Sequence, residues 1–197
     1  DLEFEVPVDN YLVKRDINGL HSGVAQLMDY RESDEVQCAY AEVPIEAAQD
    51  FVEAFVRLRE NVGEFKHYIS FGDSHARNIF PLEHETVGID WANVSFEPIG
   101  YDVGLLIGSA LTQHLEDSEM VAANERLIFD SYVEGFRSGG WHGNVDEIRL
   151  ATLVLIGSYL SSMTILPGDL ASGDLKERRS GYEARHGVPF EQIPEKI

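Results

Sequence analysis

Three side chains stand out by type and spacing: Asp73, Asn78 and Asp90. The first two lie in the loop Phe71-Gly-Asp-Ser-His-Ala-Arg-Asn78, the third in Val87-Gly-Ile-Asp-Trp91. A carboxylate can accept the proton of an attacking hydroxyl, and an amide oxygen with a second carboxylate can hold a hard cation against phosphate. Phosphoryl transfer from a nucleotide asks for little else, because its catalysis is positioning and electrostatics. Such a loop is built on an Asp followed after four residues by an Asn, with a further Asp on a nearby strand turn. Taken singly, Asp73 and Asp90 are ordinary turn residues; Asn78 turns them into a set.

Periodicity gives the elements that must position this set. After Pro44, the residues Ile45, Ala48, Phe51, Phe55, Leu58 and Val62 recur at three- and four-residue steps, an amphipathic helix. Residues 68–71 and 79–80 read as short strands around the polar loop. A turn at 83–86 and a strand over 87–91 then fold back and set Asp90 beside it. Pro98-Ile-Gly100 breaks the chain before an apolar helix over 101–114, and a further helix over 118–137 stops at Gly139-Gly140. Asn144 and Glu147 resemble a capping box for an apolar helix over 148–166, which Pro167-Gly168 is expected to end. That helix is long enough to suggest a membrane span, but Arg149, Thr152, Ser158 and Ser161 dilute it, and a buried central helix is the expectation. Residues 2–8 alternate as an edge strand, 11–30 are helix-like, 31–35 form a polar connector, and 169–197 carry one more helix with Lys176, Arg178, Arg179 and Arg185. The fold class is α+β, predominantly α, with a small β-hairpin at the site.

At these residues the sequence resembles the aminoglycoside phosphotransferase/choline kinase family, the small-molecule branch of the protein-kinase-like fold. Phe71-Gly-Asp-Ser-His-Ala-Arg-Asn78, Ile89-Asp-Trp91 and Pro98-Ile-Gly-Tyr-Asp-Val-Gly104 match its motifs in order and spacing. The resemblance implies a catalytic base at Asp73, magnesium and nucleotide binding at Asn78 and Asp90, and structural support of the loop from His75 and Asp102. It implies Mg2+ and ATP (or GTP) as cofactors and a small-molecule hydroxyl acceptor as partner. One departure is Phe71, where the family's loop carries a His. The other lies upstream: before Asp73 the lysines are Lys14 and Lys66 and the glycines Gly19, Gly23, Gly63 and Gly72, none in a Gly-rich loop after a strand. Residues 1–197 are therefore expected to be the C-terminal lobe, with 1–10 a remnant of the hinge strand and the N-terminal nucleotide-binding lobe absent.

Two rival functions use the same residues differently. Gly72-Asp-Ser74 resembles the first block of GDSL/SGNH esterases, which makes Ser74 a nucleophile with His186 as a loose candidate base. That reading leaves Asn78, Asp90 and Asp102 idle. The other rival is a catalytically inactive kinase-like binding module, motivated by Phe71.

The composition bounds the partners. Lys and Arg number 15 against 35 Asp and Glu, a formal charge of −20, which argues against nucleic acid and anionic membrane surfaces. The run Glu116-Asp117-Ser118-Glu119 reads as a helix start on a solvated face, with a pocket for a cationic acceptor as the alternative. Cys38 is the single cysteine, which excludes an internal disulfide and fits a reducing, cytoplasmic location.

Overall fold

The computed structural model describes residues 17–62, 65–83, 85–112 and 118–172. The strand expected over 2–8, the hinge remnant and the basic helix near the C-terminus lie outside them, as do His84, Glu116, Asp117 and His186.

Six α-helices and four short strands follow in order: α1 (Ile17–Asp29), α2 (Asp34–Ala39), α3 (Glu46–Val62), β1 (His67–Ser70), β2 (Ile79–Pro81), β3 (Thr86–Gly88), a 3-10 turn (Trp91–Asn93), β4 (Ser95–Pro98), α4 (Tyr101–Thr112), α5 (Ser118–Ser138) and α6 (Val145–Ser172). The described chain is α+β and predominantly α. Helix α6 is its axis: Ile148, Ala151, Thr152, Val154, Leu155, Ser158 and Ser161 are at most 1% exposed. Leu20 of α1, Val52 and Phe55 of α3, and Tyr101 and Leu105 of α4 close around Ala151, Val154 and Leu155 in one apolar cluster. By length and composition residues Val145–Asp169 would suit a membrane span; here Ile148, Ala151, Val154 and Leu155 are turned into the apolar core, while Leu153 is exposed. Two of the polar residues that dilute α6 are satisfied within it, and Arg149 pairs with Glu125 of α5. Thr152 Oγ1 donates to the Ile148 carbonyl at 2.8 Å and Ser161 Oγ to that of Gly157 at 2.6 Å, so their burial strands no donor.

Local signals misplace four features. Helix α6 does not stop at Pro167 but runs on to Ser172. A proline removes one backbone donor and crowds one carbonyl, and tertiary contact outweighs that loss. Gly168 lies so close to the backbone of Leu27 that a Cβ would come within 2.6 Å of its Cα, and Tyr40 Oη donates to the Thr164 carbonyl at 2.6 Å. The connector over 31–35 contains the start of α2, where Ser33 Oγ accepts the Val36 N–H at 3.3 Å and Val36 is buried. In α3 the buried stripe takes Arg59, 5% exposed, in place of Leu58, 43% exposed. The strand expected over 87–91 ends at Gly88, because Asp90 turns left-handed (φ 61°, ψ 62°) into the 3-10 turn.

Two antiparallel pairs position the loop. β1 pairs with β4 (His67 opposite Pro98, Ser70 opposite Ser95), and β2 with β3 (Ile79 opposite Gly88, Pro81 opposite Thr86). Strand β4 escapes sequence reading because Pro98 looks like a breaker, yet at a strand end a missing N–H costs little.

Candidate functional site

The first pairing delivers the loop to a helix start. With Ser70 opposite Ser95, the chain leaving β1 runs past the first turn of α4, and Asp102 stands in that turn. Its carboxylate accepts from Ser70 Oγ at 2.9 Å, Gly72 N at 3.1 Å and Phe71 N at 3.2 Å. Its backbone carbonyl accepts from Ser74 Oγ at 2.6 Å. Loop backbone donors that no strand satisfies are thereby tied to the helix by charge-assisted bonds. One residue before Tyr101, the Gly100 N–H is held by Tyr132 Oη at 3.2 Å. Burial raises the Tyr132 phenol well above its ordinary range; the Gly100 N–H pulls the other way and the Asp102 charge adds to the rise.

Within the loop, Gly72 is left-handed (φ 77°), and a Cβ on it would overlap the Asn93 carbonyl oxygen. Glycine is what lets the loop pass under the 3-10 turn. Beyond it, Asp73 is gripped on one side only. Its Oδ2 accepts from Asn78 Nδ2 at 2.9 Å and Asn93 Nδ2 at 3.3 Å. Its Oδ1 meets only His75 Nε2, at 3.4 Å, and the side chain is 24% exposed. One carboxylate oxygen is thus fixed by two amides, while the other has the single, longer approach of His75 Nε2.

His75 shapes the loop rather than reaching out of it. The Arg77 N–H donates to His75 Nδ1 at 3.2 Å, so the neutral ring carries its proton on Nε2, facing Asp73 Oδ1. The 3.4 Å approach of Asn78 Nδ2 to that same nitrogen is then a contact between two donors. Asn78 is 7% exposed and also donates to the Asp73 carbonyl at 3.2 Å. Its amide nitrogen anchors the loop, and among the described residues none of its bonds uses Oδ1.

Asp73, His75, Asn78 and Asn93 form one set of side-chain contacts, and Asp102 ties the backbone and serines on either side of Asp73 to α4. Asp90 is outside that set: exposed, left-handed and without a bond to Asp73 or Asn78 among the described residues. The backbone still brings it near, since the Ile89 N–H donates to the Asn78 carbonyl at 3.0 Å. Among the described residues no group of three or more His, Cys, Asp or Glu side chains is placed to hold a metal. Asn78 Oδ1 and the Asp90 carboxylate are a pair of hard oxygen donors, and magnesium takes such a pair with phosphate and water oxygens completing its shell.

The chain is similar to a methylthioribose kinase. It is 32% identical over 96 residues to that enzyme of Bacillus velezensis, a match covering 43% of this chain and 24% of the relative. The match therefore spans about a quarter of the relative's length. No family model matches the chain, and no solved structure does. The similarity is to a small-molecule kinase, and it supports phosphotransfer at that coarse level.

The geometry also sorts the remaining residues. Ser74 is 4% exposed and gives its hydroxyl proton to the Asp102 carbonyl, so the esterase alternative loses its nucleophile. Phe71, in the place of the family's His, packs its ring on Trp91 with centroids 4.5 Å apart, and Trp91 Nε1 donates to the Gly88 carbonyl at 2.9 Å. The loop keeps an aromatic anchor there without a side-chain hydrogen bond. Sequence reasoning missed Asn93 and Ser70. Asn93 follows Asp90 by three residues and carried no motif signal, and Ser70 read as one polar position in a strand.

Proposed function

We propose that this chain is the C-terminal, mainly helical lobe of a kinase of the aminoglycoside phosphotransferase/choline kinase type, moving the γ-phosphate of ATP or GTP to a hydroxyl of a small molecule. The observation that carries the reading is the uneven hold on Asp73, whose Oδ2 takes two amide N–H bonds from Asn78 and Asn93 while Oδ1 has only the longer, 3.4 Å approach of His75 Nε2. The acceptor's O–H gives its proton to Asp73 Oδ1 as the hydroxyl oxygen bonds to the γ-phosphorus. The bond from that phosphorus to the nucleotide breaks, and the diphosphate leaves. Asn78 Oδ1 and Asp90 would hold magnesium, which when bound offsets the phosphate charge. His75 and Asp102 keep the loop in shape. Methylthioribose is the first acceptor to try, on the strength of the similar kinase.

A nucleotide-binding lobe belongs on the hairpin side of the site. Phe80 and Val87 face each other across β2 and β3, Leu82 and Ile89 continue the same alternation, and all four are exposed. Apolar residues gathered on so small a hairpin suit a surface that another lobe covers.

The test is phosphate transfer from labelled ATP by the full-length protein. Asp73→Asn keeps an oxygen for the two amide donors but cannot take a proton, so turnover falls by about 10²–10⁴-fold. Normal turnover in that variant would remove Asp73 from the reaction.

A further inference from the structure

Between the 71–78 loop and helices α4 and α5 lies a cavity of about 310 Å³. Ala76 forms its edge on the loop side, Ile107 and Ala110 of α4 form one wall, and Val121 and Ile128 of α5 form the other. Its floor is firm, since Ile107, Ala110 and Val121 belong to the apolar cluster that includes Val103 and Ile156. Asn124 is the polar side chain at its lining and spends its amide nitrogen on the Met120 carbonyl at 2.8 Å. Among the described residues no lining side chain is charged. The volume is at the lower end of the range of small-molecule sites and has room for about ten water-sized groups. Ala76 stands between Asp73 and Asn78, so the loop that carries Asp73 also walls the cavity.

We infer that this cavity seats an apolar, non-reacting part of the acceptor, which makes the acceptor a small amphiphilic alcohol. The inference rests on the phosphotransferase reading for the identity of the reacting hydroxyl, and on the cavity for the apolar part. An alkyl or thioalkyl group leaves water for a wall of Ile, Val and Ala, and each methylene so buried favours binding by about fourfold.

Calorimetric titration of the full-length protein with methyl, propyl and hexyl glucopyranoside tests this directly. Affinity is expected to rise about fourfold per methylene until the cavity is full. Ala110→Phe, which fills it, should flatten the series to the methyl level. Met120 is an exposed lining residue, so Met120→Trp narrows the opening without repacking the core and should flatten the series even if the first variant fails to fold. Affinity independent of alkyl length, absence of binding by the hexyl glycoside at millimolar concentration, or a gradient untouched in a folded variant overturns the inference. Offering the same glycosides with ATP and magnesium separates the two readings. A gradient without transfer to any acceptor upholds the cavity and refutes the kinase; transfer without a gradient does the reverse.

Discussion

The carboxylate of Asp102 accepts the backbone N–H of Gly72 at 3.1 Å, across thirty residues of chain. With the bonds from Ser70 Oγ and Phe71 N, it makes the first turn of α4 and the loop before Asp73 a single unit. Asp102→Ala removes the acceptor that Ser70 Oγ and the Phe71 N–H use, while the Gly72 N–H keeps its 3.1 Å bond to Ser70 Oγ. We expect a loss of about 1–3 kcal/mol in chemical denaturation and a fall in turnover with the fold retained; Asp102→Asn, which keeps an acceptor oxygen, should recover part of both. Unchanged stability in Asp102→Ala would show that water replaces the carboxylate without cost.

Asp90 is the described non-glycine residue with a left-handed backbone. That conformation costs an L-residue about 1 kcal/mol or more and none to glycine. Asp90→Gly should therefore hold or raise the melting temperature while abolishing magnesium-dependent turnover, the pattern expected when strain is kept for function. A variant that turns over normally would exclude Asp90 from the metal site.

Gly72→Ala is expected to have the opposite profile. The new Cβ meets the Asn93 carbonyl in a backbone already at φ 77°. Stability should drop by more than about 1 kcal/mol, and turnover should drop further, since Asn93 is one of the two amides on Asp73 Oδ2. Equal thermal melts for the variant and its parent would contradict this account of the loop.

Tyr40 links stability to alkaline pH. Burial pushes its phenol from an ordinary value of 10.0 to about 12. Between those values the unfolded chain releases the proton and the folded one keeps it, so stability falls as pH rises. The contribution is complete below pH 10 and lost by about pH 12. Tyr132, raised for the same reason, adds to the slope. Tyr40→Phe should lower stability at neutral pH by about 1 kcal/mol, through loss of the bond to the Thr164 carbonyl, and should flatten the fall above pH 10. Urea titrations at several pH values would reveal an unchanged slope if the phenol is not held.

Much of the helical frame was legible. The repeat ending at Val62, the stop at Gly139-Gly140 and the apolar run after Asn144 each give a helix within a few residues of the observed one, because burial of one face imposes its period on the sequence. What escaped was set by partners distant in sequence. Pro167 lies inside α6 because Leu27 and Tyr40 press on its far end. Pro98 ends a strand because β1 lies alongside it. Asn93 joins the site because Gly72 lets the loop pass beneath it.

By itself the sequence determined which chemical groups are present and how far apart they stand along the chain: a carboxylate, an amide five residues on, a second carboxylate after a hairpin and an acid at a helix start. Those identities limit the chemistry, since side-chain type decides what can take a proton or ligate a hard cation. Tertiary structure alone decided which oxygen of Asp73 the two amides hold, that Asp102 grips the loop, and that an apolar cavity opens beside Ala76. Each depends on distances between atoms far apart in the chain, and hydrogen bonds and voids are fixed by packing rather than by spacing.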